Sequence, residues 1–163
     1  MGEIMNISLF KAGPSDAKVI YEMQIKSFMP LLDKYQDFET SPANEPISMI
    51  VDRINQSFTD YYIIKADALA VGAIRVVKNA DNQYRISPIF ILPEYQGKGI
   101  AQRVFHLVEE KYEDAKTWEL DTILQEKGNI YLYEKLGYKR TGETKEINDK
   151  MSIVFYEKNI DLE

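Results

Sequence analysis

Two glycines one residue apart, Gly97 and Gly99, stand between an apolar run that reads as a strand (residues 89–92) and an amphipathic run that reads as a helix from Ile100. A helix that begins directly after so small a turn leaves its first backbone N–H groups unpaired. They point at whatever occupies its N-terminal end, where the macrodipole is positive. Such a turn suits an anion. Gly97 and Gly99 remove the Cβ atoms that would hold a phosphate off the backbone, and Ala101 is the next smallest choice as the helix leaves the turn. A bulky diphosphate fits this description, and so does a tight strand-to-helix connection with no ligand; a bare G-x-G does not separate the two. Two familiar phosphate loops are excluded. A dinucleotide fingerprint needs a third glycine where Gln102 stands, and a Walker loop needs four residues between its glycines followed by Lys and Ser or Thr.

The elements that must position this turn follow from hydrophobic period and breakers. Residues 7–12 read as a strand. A helix follows with Ser15 or Asp16 as N-cap and apolar Val19, Ile20, Met23, Phe28 and Leu31, and it is expected to end near Pro30. The polar segment 33–46, with two prolines and no period, reads as a loop before a second helix carrying Ile47, Ile50, Val51 and Ile54. Residues 61–92 read as three strands in an antiparallel meander, turning near Ala66 and Asp67 and again at 79–82. In the helix after the glycines, Ile100, Ala101, Val104, Leu107 and Val108 share one face, with Gln102, His106, Glu109 and Glu110 opposite, so it packs on a sheet by one side. A strand at 117–124, a short helix at 128–137 closed by Gly137 at C′, and a terminal hairpin about residues 148–150 complete the order β-α-α-β-β-β-α-β-α-β-β.

Composition narrows the chemistry. At 163 residues and 45% hydrophobic content the chain is expected to form one domain over residues 1–163 with a substantial core. A net charge of -6 works against unspecific attraction to nucleic acid or to an anionic membrane. With no cysteine there is no disulfide, no thiolate metal site and no cysteine nucleophile, so a group transfer would run without a Cys-bound intermediate. No metal site is expected. The N-terminus lacks a basic region followed by a long apolar stretch, and no 18-residue apolar run occurs, which points to a cytoplasmic protein. Gly2 is followed by Asn6 where a myristoylation signal has Ser or Thr, so lipidation is not expected.

The stretch Gln96-Gly97-Lys98-Gly99-Ile100-Ala101, after a strand and before an amphipathic helix, carries the pattern Gln/Arg-x-x-Gly-x-Gly/Ala. A second stretch, Tyr133-Glu134-Lys135-Leu136-Gly137-Tyr138, ends a short helix and leads into a strand. Together they resemble the two signatures of the GNAT family of N-acetyltransferases, and the element order matches that family's fold over nearly the whole chain. The resemblance is weakest at residues 31–56, where the family varies with its acceptors. It implies a GNAT α/β fold, with a mixed, mostly antiparallel central sheet of about seven strands flanked by helices.

It also implies acetyl-CoA as cosubstrate. Backbone groups of Ile89, Phe90 and Ile91 would meet the pantetheine arm, and Gln96, Gly97, Lys98, Gly99, Ile100, Ala101 and Gln102 would wrap the diphosphate. Pro88 cannot donate to a sheet ladder; it marks either the bulge by which the family's strand splays from its neighbour or the start of the strand. Lys98 and Arg103 either add charge near the phosphates or belong to a solvated face. A backbone N–H near Phe90 or Ile91 would stabilise the oxyanion formed when a neutral amine attacks the thioester. Tyr133 stands at the motif position of the family's catalytic acid. A phenol of pKa about 10 can protonate a departing thiolate whose conjugate acid has pKa about 8.5. Its motif position, rather than its type, singles it out among 11 tyrosines, and Tyr131 falls on another face.

Two departures from the family stand out. The Glu often carried on the strand before the glycine turn is Arg85 here, which cannot act as a base at neutral pH. His106, the only histidine, reads as surface, which leaves Glu119, Asp121 or Tyr84 as bases acting through water. The Asn often seven residues before the tyrosine is Glu126; Asn129 is either a substitute contact or a helix cap. Around the acceptor region Asp33, Asp37, Glu39 and Glu45, with Lys34, Tyr35 and Phe38 among them, give a local charge of about -3 that suits a cationic amine or simply a solvated loop. Three functions stay open: an acetyl-CoA-dependent amine N-acetyltransferase acting on a small molecule, a CoA-binding sensor that no longer transfers, and a protein acetyltransferase acting on lysines or chain N-termini. Open sheet edges make a homodimer an option.

Overall fold

Runs rich in Val, Ile and Tyr form the strands, and their period-2 alternation buries both faces of a central sheet. The computed structural model describes residues 5–160; Gly2, and with it the lipidation question, lies outside them. The described strands are β1 (Ile7–Lys11), β2 (Thr59–Ala66), β3 (Leu69–Ala80), β4 (Gln83–Ile91), β5 (Thr117–Ile123), β6 (Lys139–Asn148) and β7 (Met151–Asn159). The helices are α1 (Ala17–Tyr35), α2 (Ile47–Asn55), α3 (Ile100–Lys111) and α4 (Lys127–Lys135). The order is the one read from the sequence. All the strands join one sheet in the order β1-β2-β3-β4-β5-β7-β6, and every neighbouring pair is antiparallel except β4 with β5.

Each face of the sheet has its own core. On one, α3 lays Ile100, Val104, Phe105 and Val108 against Ile74, Ile86, Trp118 and Leu120, and Tyr133 of α4 and Leu136, its C-cap, add to them. On the other, Ile20 and Met23 of α1 and Ile50 of α2 pack on Tyr61, Ile63, Ala73 and Phe90. Residues 148–151 close the β6–β7 hairpin, with the Asn148 side chain accepting from the backbone N–H of Lys150 at 2.8 Å.

The first helix is longer than its sequence suggests. It does not end near Pro30 but runs through it to Tyr35, where Gln36 takes a left-handed φ of 57° and sends its N–H to the Leu32 carbonyl at 2.7 Å. A proline inside a helix costs about 3 kcal/mol, whereas burying a large apolar side chain returns about 1.5–3 kcal/mol. Leu32 and Tyr35, both buried beyond the proline, are enough to offset the loss.

What positions the site is the unequal pairing of β4. Against β3 it is paired nearly end to end, with Ile74 opposite Ile89 and Val76 opposite Ile86, so that Ser87 and Pro88 together face the single residue Arg75. Pro88 therefore sits in a bulge inside the strand, not at its start. Against β5 the pairing covers only Gln83, Tyr84 and Arg85, opposite Thr117, Trp118 and Glu119. Beyond these residues β4 and β5 diverge, while β5 stays paired to β7 as far as Ile123.

The far end of β4 is pressed onto β3 at Gly72, where a Cβ would lie 2.1 Å from the Phe90 carbonyl oxygen. Gly72→Ala must push backbone against backbone, and we expect it to lower unfolding stability by about 2 kcal/mol or more. Chemical denaturation of the variant checks this; an unchanged midpoint would contradict so close an approach.

Candidate active site

Divergence from β5 leaves one edge of β4 without a strand partner. The Leu92 N–H bonds to the Val71 carbonyl at 2.8 Å, and antiparallel ladders alternate along a strand, so the Phe90 groups also turn toward β3. Those of Ile89 and Ile91 turn the other way, into the gap. The Ile91 carbonyl accepts from the Gln96 side-chain amide at 2.9 Å, which pins the start of the glycine turn to the end of the strand. The N–H groups of Ile89 and Ile91 are thus the donors facing the gap, and Phe90, one of the two residues expected to supply one, is committed to the sheet.

At the turn, Gly97 and Gly99 have φ of +74° and +77°, a region in which a side chain is strained, and a Cβ at either would meet nothing within 4 Å. Gly99 is the N-cap of α3, and the first intrahelical bond joins the Arg103 N–H to the Gly99 carbonyl at 3.3 Å. The N–H groups of Ile100, Ala101 and Gln102 are left without an intrahelical acceptor. These residues, with Gln96, Gly97, Gly99 and the Ile89–Phe90–Ile91 edge, border a groove of about 650 Å³. Lys98 is exposed and does not line it. Arg103 is also exposed, and its guanidinium donates to the Met5 carbonyl at 2.5 Å.

Tyr133 ends this groove. It also borders a second cavity, of about 380 Å³, enclosed between Ile86–Ile89 of β4, Leu120–Ile123 of β5, the end of α1 and the β6–β7 hairpin. Only 7% of Tyr133 is exposed, and burial, helped by the charge of Asp121, pushes its phenol well above the ordinary tyrosine range. The ring is held edge-on to Phe105 at 5.7 Å and to Tyr138 at 6.2 Å. Tyr131, 70% exposed, points elsewhere. A protonated phenol thus stands where two cavities meet, beside a strand edge with free N–H groups.

The sequence model of the acetyltransferase (GNAT) domain matches residues 32–159. The chain belongs to the GNAT acetyltransferase family. Its fold is shared by the PaiA N-acetyltransferase of Thermoplasma acidophilum, solved with coenzyme A, at TM-score 0.74 and 18% identity over 96% of this chain and 100% of the other. The ribosomal-protein-S18-alanine N-acetyltransferase of Escherichia coli gives TM-score 0.75 and 13% identity over 98% and 96% of the two chains. A spermidine N-acetyltransferase chimera built from the Vibrio cholerae enzyme and hSSAT gives 0.74 and 14% over 94% and 95%. At these identities the likeness is one of fold. No curated protein matches the sequence.

Within this GNAT chain the remaining candidates sort by position. Tyr84 donates to Asp114 at 2.8 Å, its phenol pushed up to about 12 by burial and by that carboxylate, and it borders neither cavity. Glu119 accepts from Asn79 at 3.1 Å and also lies outside both. His106 is exposed. Asp121 alone of the three suggested bases lines the second cavity, and Arg85 holds its carboxylate across the β4–β5 junction. Asn129 lines both cavities from inside α4; the N-cap of that helix is Glu126, so the capping alternative for Asn129 falls away. Among the described residues no group of three or more His, Asp or Glu side chains is arranged to hold a metal ion.

Several site residues were not legible in advance. Of the acidic segment, Asp33 and Glu39 are exposed, whereas Asp37 and Glu45 line the second cavity. Glu45 is gripped at both oxygens by Arg53 at 2.9 Å and receives the amide of buried Gln24 at 2.9 Å. The end of α1 is tied down from two sides. Glu126 accepts from the Tyr35 hydroxyl and from Lys34 at 2.9 Å, and Asn148 donates to the Tyr35 carbonyl at 2.9 Å. Burial alone would raise the Glu126 carboxyl, but its bonds from Tyr35 and Lys34 outweigh that and hold it below the usual range. Position Glu126 therefore serves to clamp α1 over the junction of the cavities.

Because Gly99 combines a left-handed φ with open space above it, Gly99→Val should weaken binding of the expected acetyl-CoA by about tenfold or more while the fold persists. Calorimetric titration alongside circular dichroism checks this, and unaltered affinity would rule out the turn as the diphosphate site.

Proposed function

We propose that the protein is an acetyl-CoA-dependent N-acetyltransferase of the cytoplasm, a single domain over residues 1–163, in which a primary amine attacks the thioester directly with no covalent enzyme intermediate. The observation that carries this reading is the placement of Tyr133 between the glycine-turn groove and the second cavity, opposite the free edge of β4. A cosubstrate enters by the first and an amine by the second.

Acetyl-CoA supplies the activated acyl group. The unpaired N–H groups of Ile100, Ala101 and Gln102, with the Gly97–Gly99 backbone, would hold its diphosphate, and the edge from Ile89 to Ile91 its pantetheine arm. An N–H of Ile89 or Ile91 faces the space in which negative charge develops on the acyl oxygen as the N–C bond forms. Asp121, bordering the amine's cavity, takes the proton that the attacking nitrogen must lose, directly or through one water. Arg85 orients that carboxylate. As the C–S bond breaks, the Tyr133 phenol gives its proton to sulfur; its raised pKa keeps that proton in place until then. Arg85, which as a replacement for the usual glutamate favoured a non-catalytic sensor, in this arrangement presents a carboxylate to the cavity from the neighbouring strand.

Tyr133→Phe should lower kcat about 100-fold with acetyl-CoA affinity nearly unchanged, since the phenol acts on the departing sulfur. Asp121→Asn should lower kcat/KM for the amine about 100-fold. Thiol release against pooled small amines, beside a pool of peptides, measures both. A Tyr133→Phe variant whose kcat at saturating acetyl-CoA is unchanged while its acetyl-CoA affinity collapses would make Tyr133 a binding residue and overturn the assignment.

A further inference from the structure

A polar side chain shut away from water finds a partner inside the protein, and the exceptions ask for an explanation. Among the described residues, buried side-chain nitrogen or oxygen atoms without a hydrogen-bond partner stand on Ser27, Gln56, Arg75, Trp118 and Tyr138. Of these residues, Ser27 alone borders either cavity. It lies on the glycine-turn groove and is 7% exposed.

A serine inside a helix ordinarily turns its hydroxyl back onto the carbonyl one turn earlier, here that of Met23. That bond is not made. Ser27, Pro30, Leu31 and Lys34 follow one another at helical spacing along α1, so they share the face that walls the groove. Lys34 is taken up by Glu126 at 2.9 Å, and Pro30 and Leu31 carry no polar side-chain atom. The Ser27 hydroxyl is thus the uncommitted side-chain group on this wall. Phe28 beside it meets the Phe90 ring edge-on at 5.7 Å, which sets this turn of α1 level with the middle of the Ile89–Ile91 edge.

We propose that Ser27 is a cosubstrate-binding residue whose hydroxyl donates to an amide carbonyl of the pantetheine arm. The proposal rests on the acetyl-CoA reading above and adds α1 to the backbone groups of β4 and α3 named there. A carbonyl oxygen has two lone pairs, so one that takes an N–H from Ile89 or Ile91 still has room for a second donor. The Ser27 Oγ turns about a single bond, and a change of rotamer brings it from the helix flank toward the groove without moving α1. In the free protein the hydroxyl has lost its bonds to water and gained none, a cost that the bound arm removes.

Calorimetric titration of Ser27→Ala with acetyl-CoA, CoA and ADP tests this, with denaturation of the free variant beside it. Alanine is the best helix former, so the variant keeps its fold. Affinity for acetyl-CoA and for CoA should fall alike by about fivefold, the worth of one neutral hydrogen bond, while ADP, which has the diphosphate but no pantetheine, loses nothing. The unfolding midpoint should hold or rise, because the group removed has no partner in the free protein. Unchanged affinity for acetyl-CoA would make Ser27 a packing residue and overturn the proposal, as would an equal loss for ADP. A loss confined to acetyl-CoA would move the contact from the arm to the acetyl group and overturn it too. No binding of acetyl-CoA by the unaltered protein would instead count against the acetyl-CoA reading itself and this proposal with it.

Discussion

Everything at the candidate site depends on β4 having one complete neighbour and one incomplete one. A strand edge in a protein interior must find partners for its N–H and C=O groups. On the β3 side they are found along nearly the whole strand, but on the β5 side the ladder stops at Arg85. The edge that remains, around Ile89 and Ile91, continues straight into a turn whose helix also begins with unpaired N–H groups. Strand edge and helix terminus together form one continuous line of donors. On the proposed reading, that line is where the extended arm and diphosphate of acetyl-CoA would lie.

Keeping the gap open needs anchors on both sides, and the structure supplies them from distant parts of the chain. Gly72 lets β3 draw the end of β4 inward, while β7 holds β5 away. The bulge at Ser87 and Pro88 bends β4 where the split begins. Above the split, α1 continues past Pro30 so that Tyr35 reaches Glu126 at the head of α4 and Asn148 on the terminal hairpin. The helix that would be too short if it ended at the proline thereby roofs the junction of the two cavities. Tyr133 is then enclosed by protein on most sides, which accounts for the strong preference of its phenol for the protonated form.

Much of this was legible in the residues because it is local. Element order, the buried face of α3, the left-handed glycines and the closing Gly137 follow from period and backbone preference within a few positions. The position of Tyr133 was legible from its motif. What escaped was decided by contacts far apart in sequence. Whether Pro30 ends a helix depends on what Leu32 and Tyr35 bury against; whether residues 33–45 are acidic depends on Arg53 and Gln24 reaching Glu45. Arg85 in sequence reads as the loss of a base, whereas its partner Asp121 stands on the next strand, a pairing that no spacing within one segment reveals.

The most direct measurement is hydrogen exchange of individual backbone amides by NMR, with and without acetyl-CoA. If the free edge of β4 receives the cosubstrate, exchange slows at Ile89 or Ile91 and at Ile100, Ala101 and Gln102, while Phe90, already bonded to β3, is unchanged. Acetyl-CoA that binds without protecting either Ile89 or Ile91 would show that the gap between β4 and β5 is not where the thioester lies, and the account of the site would fail with it.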